Sequence, residues 1–160
     1  IRFLYVDRMS PEKGIFDFIK MYNEIELEKE FSIVGNSKNH NIPNKRIKFL
    51  GYVADSKSLI NIYDNHNITV LPSFTEATPY VVDESLSRKR PVIIFEDIEY
   101  IVRGKKGIFV SKRDKDSFLE TTKYIMDNYY DIQKKMEKNI LPTKKSMIKQ
   151  ISDIIKIENS

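Results

Sequence analysis

Cysteine is absent from the 160-residue sequence, which excludes a disulfide framework, a thiol nucleophile and any thiolate-based metal centre. Imidazole is scarce: His40 and His66 are the only histidines, too few for a His-rich metal site. No apolar run approaches the length of a membrane span, and the opening residues do not read as a signal peptide. Neither sign of charge dominates. The 27 Lys+Arg against 23 Asp+Glu leave a formal excess of +4, and no motif interleaves bases with aromatics, so no nucleic-acid partner is expected. Repeats and low-complexity linkers are missing as well. What remains is ordinary globular material: 41% hydrophobic and 31% charged residues, which argues against wholesale disorder. The length suits one domain with a real core. Because a strand-like run starts at Ile1, residues 1–160 read as a single domain cut from a longer protein.

Short β-branched apolar runs occur at 1–6, 31–34, 47–50, 68–71, 92–95 and 107–110. Most are continuous rather than alternating, as in strands buried on both faces. Amphipathic stretches at 14–27, 56–65, 79–88 and 117–128 separate them, and two terminal helices are expected at 129–138 and 144–157. Alternating strands and helices predict an α/β fold, a Rossmann-like doubly wound parallel sheet with helices on both faces. In such a sheet ligands bind at the carboxyl ends of the strands, near the switch in strand order. The loops that matter therefore follow Val6, Val34, Leu50 and Leu71.

Two of these loops carry an expected helix start suited to an anion. After the first strand, Ser10 is placed to cap a helix and Pro11 to open it, with Arg8 and Lys13 beside it. After the fourth strand, Thr78 and Pro79 repeat the pattern. Unpaired N–H groups at two helix starts, together with two cations, suit a diphosphate. Arginine can grip a phosphate through paired hydrogen bonds, and lysine acts as a movable point charge. Glu84, a turn and a half into the second helix, can accept both hydroxyls of a ribose; Glu76, in the loop before it, can accept sugar hydroxyls. The ordinary alternatives are a solvated basic loop and filler carboxylates.

The ordered series Phe3-Leu4-Tyr5-Val6-x-Arg8-(x4)-Lys13-Gly14, Ile33-Val34-Gly35, Ile47-Lys48-Phe49-Leu50-Gly51-Tyr52-Val53, Val70-Leu71-Pro72-Ser73, Glu76-(x7)-Glu84 and Pro91-Val92-Ile93 carries a resemblance. It resembles the C-terminal domain of GT-B glycosyltransferases, most closely the family-4, retaining group. The resemblance implies a nucleoside-diphosphate sugar as donor substrate, a UDP- or GDP-sugar first among the candidates, with no metal expected. It implies that Arg8 and Lys13 neutralise the diphosphate and, with Glu76, serve catalysis. Glu84 would hold the ribose, Glu76 the donor sugar, and the backbone N–H groups of Tyr80 and Val81 the phosphates. Gly14 would border the phosphates, and Gly35 with Tyr52 and Val53 would lie against the base. The partner would be an N-terminal acceptor domain of the same protein, with transfer to an acceptor hydroxyl in surface polysaccharide or lipopolysaccharide assembly. The expected location is cytoplasmic, either free or peripheral at the inner face of the membrane. The alternative is a non-catalytic module for nucleotide binding or interaction, derived from the same fold.

Three departures bear on that expectation. Asp7 stands where the family usually has Gly, and a carboxylate there opposes a phosphate unless it pairs with Arg8 or a lysine. Ala77-Thr78-Pro79 replaces a glycine-rich turn, and Pro79 has no N–H to donate. Arg88-Lys89-Arg90 forms an extra basic cluster, expected as a solvated turn. Beyond Asn128, Lys134, Lys135, Lys138, Lys144, Lys145, Lys149 and Lys156 accompany an apolar stripe of Met147, Ile148, Ile151, Ile154 and Ile155. Packing against the protein itself is expected there, with an anionic membrane surface as the second reading.

Overall fold

The computed structural model describes residues 1–25, 29–36, 45–143 and 145–146. Along them run β1 (Arg2–Val6), α1 (Ile15–Asn23), β2 (Glu30–Val34), β3 (Ile47–Gly51), α2 (Ser56–Asp64), β4 (Ile68–Leu71), α3 (Tyr80–Ser87), β5 (Val92–Phe95), β6 (Ile108–Ser111), α4 (Lys115–Asp127) and α5 (Tyr129–Met136). The strands form one parallel sheet in the order β3-β2-β1-β4-β5-β6. The chain winds outward from β1 in one direction and then from β4 in the other, which puts the switch point between β1 and β4.

Helices cover both faces of this Rossmann-like sheet. Phe3 of β1 meets Phe118 of α4 and Tyr22 of α1 at ring-centroid distances of 5.4 and 6.2 Å. Leu4, on the opposite face from Phe3, pairs in register with Thr69, and Thr69 receives a 2.7 Å hydrogen bond from Ser85 of α3. The first face holds an aromatic cluster centred on Phe18, whose ring lies 5.1 Å from Phe31 and 5.2 Å from Phe118. The helix ends have local causes. Asp55 accepts the Ser58 N–H at the start of α2, and Asp114 accepts the Ser117 N–H at the start of α4.

Several expected boundaries move. No helix begins at Pro11: residues Pro11–Lys13 make a single 3₁₀ turn, and Gly14, at φ +62°, breaks it before α1 starts at Ile15. Ser10 caps no backbone group, and its hydroxyl goes to the Glu12 carboxylate instead. Pro79 rather than Thr78 occupies the cap position of α3, without a side-chain cap. A 3₁₀ segment at Glu96–Ile101 has no sequence forecast, while the end of the first expected helix (26–27) and most of 144–157 lie outside the described residues. Arg88 and Lys89 form the exposed turn that was expected, and the cluster is also paired. Arg88 pairs with Asp64, Lys89 with Glu137, and Arg90 donates to the carbonyls of Tyr63 and Asp64, tying α2, α3 and α5 together. Among the described residues no helix is long and apolar enough to cross a membrane.

Candidate functional site

At the carboxyl ends of β1 and β4, two adjoining clefts share Val6 and Asp7 as a common wall. The first, of about 240 Å³, is lined by Arg8, Gly35, Tyr52, Val53 and Leu59 among others. The second, of about 280 Å³, is lined by Lys13, Glu76, Tyr80, Val81 and Glu84 among others. The residues expected to meet a base therefore gather in one compartment, and those expected to meet phosphate, ribose and sugar gather in the next, except Arg8, which lines the first. Gly14 stands apart. It is buried, and a Cβ there would lie 2.0 Å from the Pro72 carbonyl oxygen, so its contribution is close packing of α1 on the β4–α3 loop. Gly35 serves similarly between β2 and β1: a Cβ would sit 2.0 Å from the Asp7 carbonyl oxygen.

The electrostatic centre of the second cleft is Lys13. Its ammonium lies 2.7 Å from Asp7 and 2.7 Å from Glu76. Burial works against its charge, yet hydrogen bonds to both carboxylates hold its pKa above the usual lysine value. Asp7 is therefore not an unpaired anion aimed at the cleft: one oxygen takes Lys13 and the other accepts the Arg8 N–H at 2.6 Å. Among the described residues the exposed Arg8 guanidinium makes no ion pair. Tyr80 and Val81 occupy the first turn of α3, where backbone N–H groups have no acceptor within the helix. No cluster of His, Asp and Glu among the described residues is arranged to hold a metal ion.

Several positioning groups escape sequence reasoning. Burial pushes the Tyr63 hydroxyl far above the ordinary tyrosine range, so it stays protonated and donates to Glu84 at 2.9 Å. Tyr5 is shifted the same way, mainly by burial, and donates to the Arg8 carbonyl at 2.6 Å, fixing the β1 loop. Ser73, fully buried, donates to Glu76 at 2.6 Å. Its place beside Pro72 at a strand end was visible in the sequence; no motif marks the roles of the two tyrosines.

An open parallel sheet with compound clefts over its switch point defines a doubly wound, Rossmann-like α/β domain. The family described as glycosyl transferases group 1 matches residues 1–128, and the chain belongs to that family. Its fold is that of the C-terminal domain of a GT-B glycosyltransferase. No curated protein matches the sequence. Among solved structures, sucrose-phosphate synthase from Thermosynechococcus elongatus superposes with a TM-score of 0.77 at 18% identity, over 97% of this chain and 44% of that one. HepE from Anabaena, in complex with UDP and glucose, gives 0.66 at 15% identity, over 84% and 41%. The C-terminal domain of the glycosyl transferase group 1 protein LpcC from Francisella tularensis gives 0.62 at 18% identity, over 86% and 80%. The chain thus spans less than half the length of the first two. At these identities the likeness is one of fold.

Proposed function

We propose that this chain binds a nucleoside-diphosphate sugar and forms the donor half of a retaining glycosyltransferase, the acceptor being held by an N-terminal domain. One observation carries the reading: Arg8, Lys13 and the first turn of α3 converge with Glu76 and Glu84 on adjoining clefts at the sheet's switch point. The HepE neighbour holds UDP and glucose on the same fold, which supports a uridine or related diphosphate as the leaving group.

In the transfer, the bond between the anomeric carbon and the β-phosphate oxygen breaks. A new bond forms from that carbon to the acceptor oxygen, whose proton is released. Negative charge grows on the departing diphosphate, and fixed cations stabilise it most at the transition state. Arg8 is free to meet it. Lys13 must first leave one or both carboxylates, and as it does so Glu76 becomes available to a sugar hydroxyl. Glu84, held by Tyr63, faces the ribose. The base lies against Gly35, Tyr52 and Val53.

The test is calorimetric titration of the chain with UDP, GDP, ADP and CDP, repeated with Lys13→Ala and Glu84→Gln. One nucleotide binds saturably. Loss of a charge-assisted contact worth about 1.5–3 kcal/mol weakens it roughly tenfold or more in Lys13→Ala. Glu84→Gln weakens it less, since the amide still accepts one hydrogen bond. Absence of binding to all four at millimolar concentration overturns the reading.

A further inference from the structure

Glu76 sits in the irregular stretch between β4 and α3, where nothing in regular secondary structure fixes it. Its carboxylate is held by Lys13 and Ser73, but Lys13 is the group a diphosphate competes for. Once Lys13 turns to phosphate, a carboxylate meant for a sugar hydroxyl needs its backbone held by something the ligand does not touch. Catalytic and binding groups tolerate only about 0.5 Å of misplacement, and loops drift more readily than strands or helices.

The 3₁₀ segment Glu96–Ile101, which follows β5, supplies that hold twice. The Tyr100 hydroxyl accepts the Glu76 N–H at 2.9 Å and donates to the Glu76 carbonyl at 2.7 Å, so one hydroxyl spans both polar groups of a single residue. Asp97, from the same segment, grips Arg113 at 2.6 Å. Arg113 in turn donates to the Pro72 carbonyl at 2.9 Å and stacks on the Phe74 ring at 4.1 Å. Apart from Glu76 itself, the residues making these contacts lie outside the lining of the two clefts. Tyr100 is half-exposed, so its hydroxyl is not needed to fill a core; burial does not explain it.

We infer that Tyr100 is the positioning residue for Glu76, with Arg113 bracing the start of the same loop, and that the pair sets how tightly the sugar of the donor is held. This rests on the donor-binding reading above. The bracket acts on the backbone, independently of the Lys13 ion pair, and so persists through the exchange of Lys13 from carboxylate to phosphate. Its effect falls on the sugar rather than on the nucleotide, because Tyr100 reaches Glu76 and none of the groups placed at the phosphates, ribose or base.

The experiment measures affinity for three matched pairs: UDP and UDP-glucose, GDP and GDP-mannose, ADP and ADP-glucose. The pair that the unmodified chain binds is carried into Tyr100→Phe, Glu76→Gln, the double variant and Arg113→Lys, each checked for folding by thermal melting. The expected result is a sugar preference, the ratio of the two affinities, that falls at least threefold in Tyr100→Phe while nucleotide affinity changes much less. Tyr100→Phe then adds nothing in the Glu76→Gln background. Arg113→Lys, which keeps the charge and loses the stacked fork, shows the same selective loss. An unchanged preference in Tyr100→Phe overturns the inference, as does an equal fall for nucleotide and nucleotide sugar, or an unmodified chain with no preference; each leaves the nucleotide reading standing. Failure of the unmodified chain to bind any nucleotide overturns the donor reading, and this inference falls with it.

Discussion

Around Lys13 the charges do not balance in a ligand's favour. Two cations, Arg8 and Lys13, share the adjoining clefts with Asp7, Glu76 and Glu84, a surplus of one negative charge before any phosphate arrives. Asp7 is the carboxylate with no expected ligand group to bind, and it competes with phosphate for Lys13 at 2.7 Å. Asp7→Asn keeps an oxygen to accept the Arg8 N–H and removes the charge. Nucleoside-diphosphate affinity is expected to rise several-fold at low salt, and the gain should shrink as ionic strength rises, because part of it is screened charge. Isothermal titration at two salt concentrations checks this. A weaker affinity in Asp7→Asn would instead mean that Asp7 is needed to keep Lys13 over the cleft.

At the scale of elements, the junction between the β1 loop and the β4–α3 loop depends on Gly14. Its φ of +62° and the Pro72 carbonyl oxygen 2.0 Å from any added Cβ are separate obstacles. Gly104 offers the control, since it has φ +74° and nothing within 4 Å of an added Cβ. Gly104→Ala should cost only the left-handed strain, about 1–2 kcal/mol. Gly14→Ala should cost about 1–3 kcal/mol more from overpacking, with Tm dropping about 2–4 °C per kcal/mol for a chain of this length. Thermal melts of the two variants separate the contributions. Gly14 also marks where sequence reading stopped. The strands were legible because a strand buried on both faces is written as a continuous apolar run, and Ile68–Leu71 and Val92–Phe95 end where those runs end. Among the cleft residues, Arg8, Lys13, Glu76 and Glu84 were legible from the loops and helix starts that follow the first and fourth strands, whereas Gly35, Tyr52, Val53, Tyr80 and Val81 came only with the family resemblance. The Ser10-Pro11 signal was misread as a helix start, since Pro suits the first position of a 3₁₀ turn equally well and the left-handed Gly14 interrupts it. The hold of Tyr100 on Glu76 spans 24 residues and joins two irregular segments, so no local pattern announces it.

Over the whole molecule, the two edges of the sheet have different duties. The carboxyl edge carries the clefts, whereas the opposite edge is locked by structural contacts: the Asn67 side chain accepts the Arg2 N–H at 2.9 Å, and the Asn67 N–H donates to the Arg2 carbonyl at 2.9 Å. His66 lies beside that lock, buried, with Nδ1 2.6 Å from the Ile62 carbonyl oxygen, which suits a neutral ring donating from Nδ1. Burial lowers its pKa below the usual 6.5; the Ile62 carbonyl and Glu30 oppose the shift, and the nearby Arg2 and Arg90 reinforce it. The sign follows directly. Between the folded value and about 6.5 the unfolded chain binds more protons than the folded one, so stability is complete above that window and is lost as pH falls through it. The slope is at most about 1.4 kcal/mol per pH unit for one proton. The carboxylates held low by partners, Glu30, Asp55, Asp64 and Glu137 among them, respond in a separate, more acidic window. His66→Gln should therefore flatten the dependence of urea unfolding free energy on pH just below about 6.5. Nucleotide affinity over the same range should change no differently in His66→Gln than in the unmodified chain, because His66 sits at the edge away from the clefts. A coupled change in affinity would show that acid loosening at one end of the strands reaches the clefts at the other, and that the sheet does not insulate its two edges.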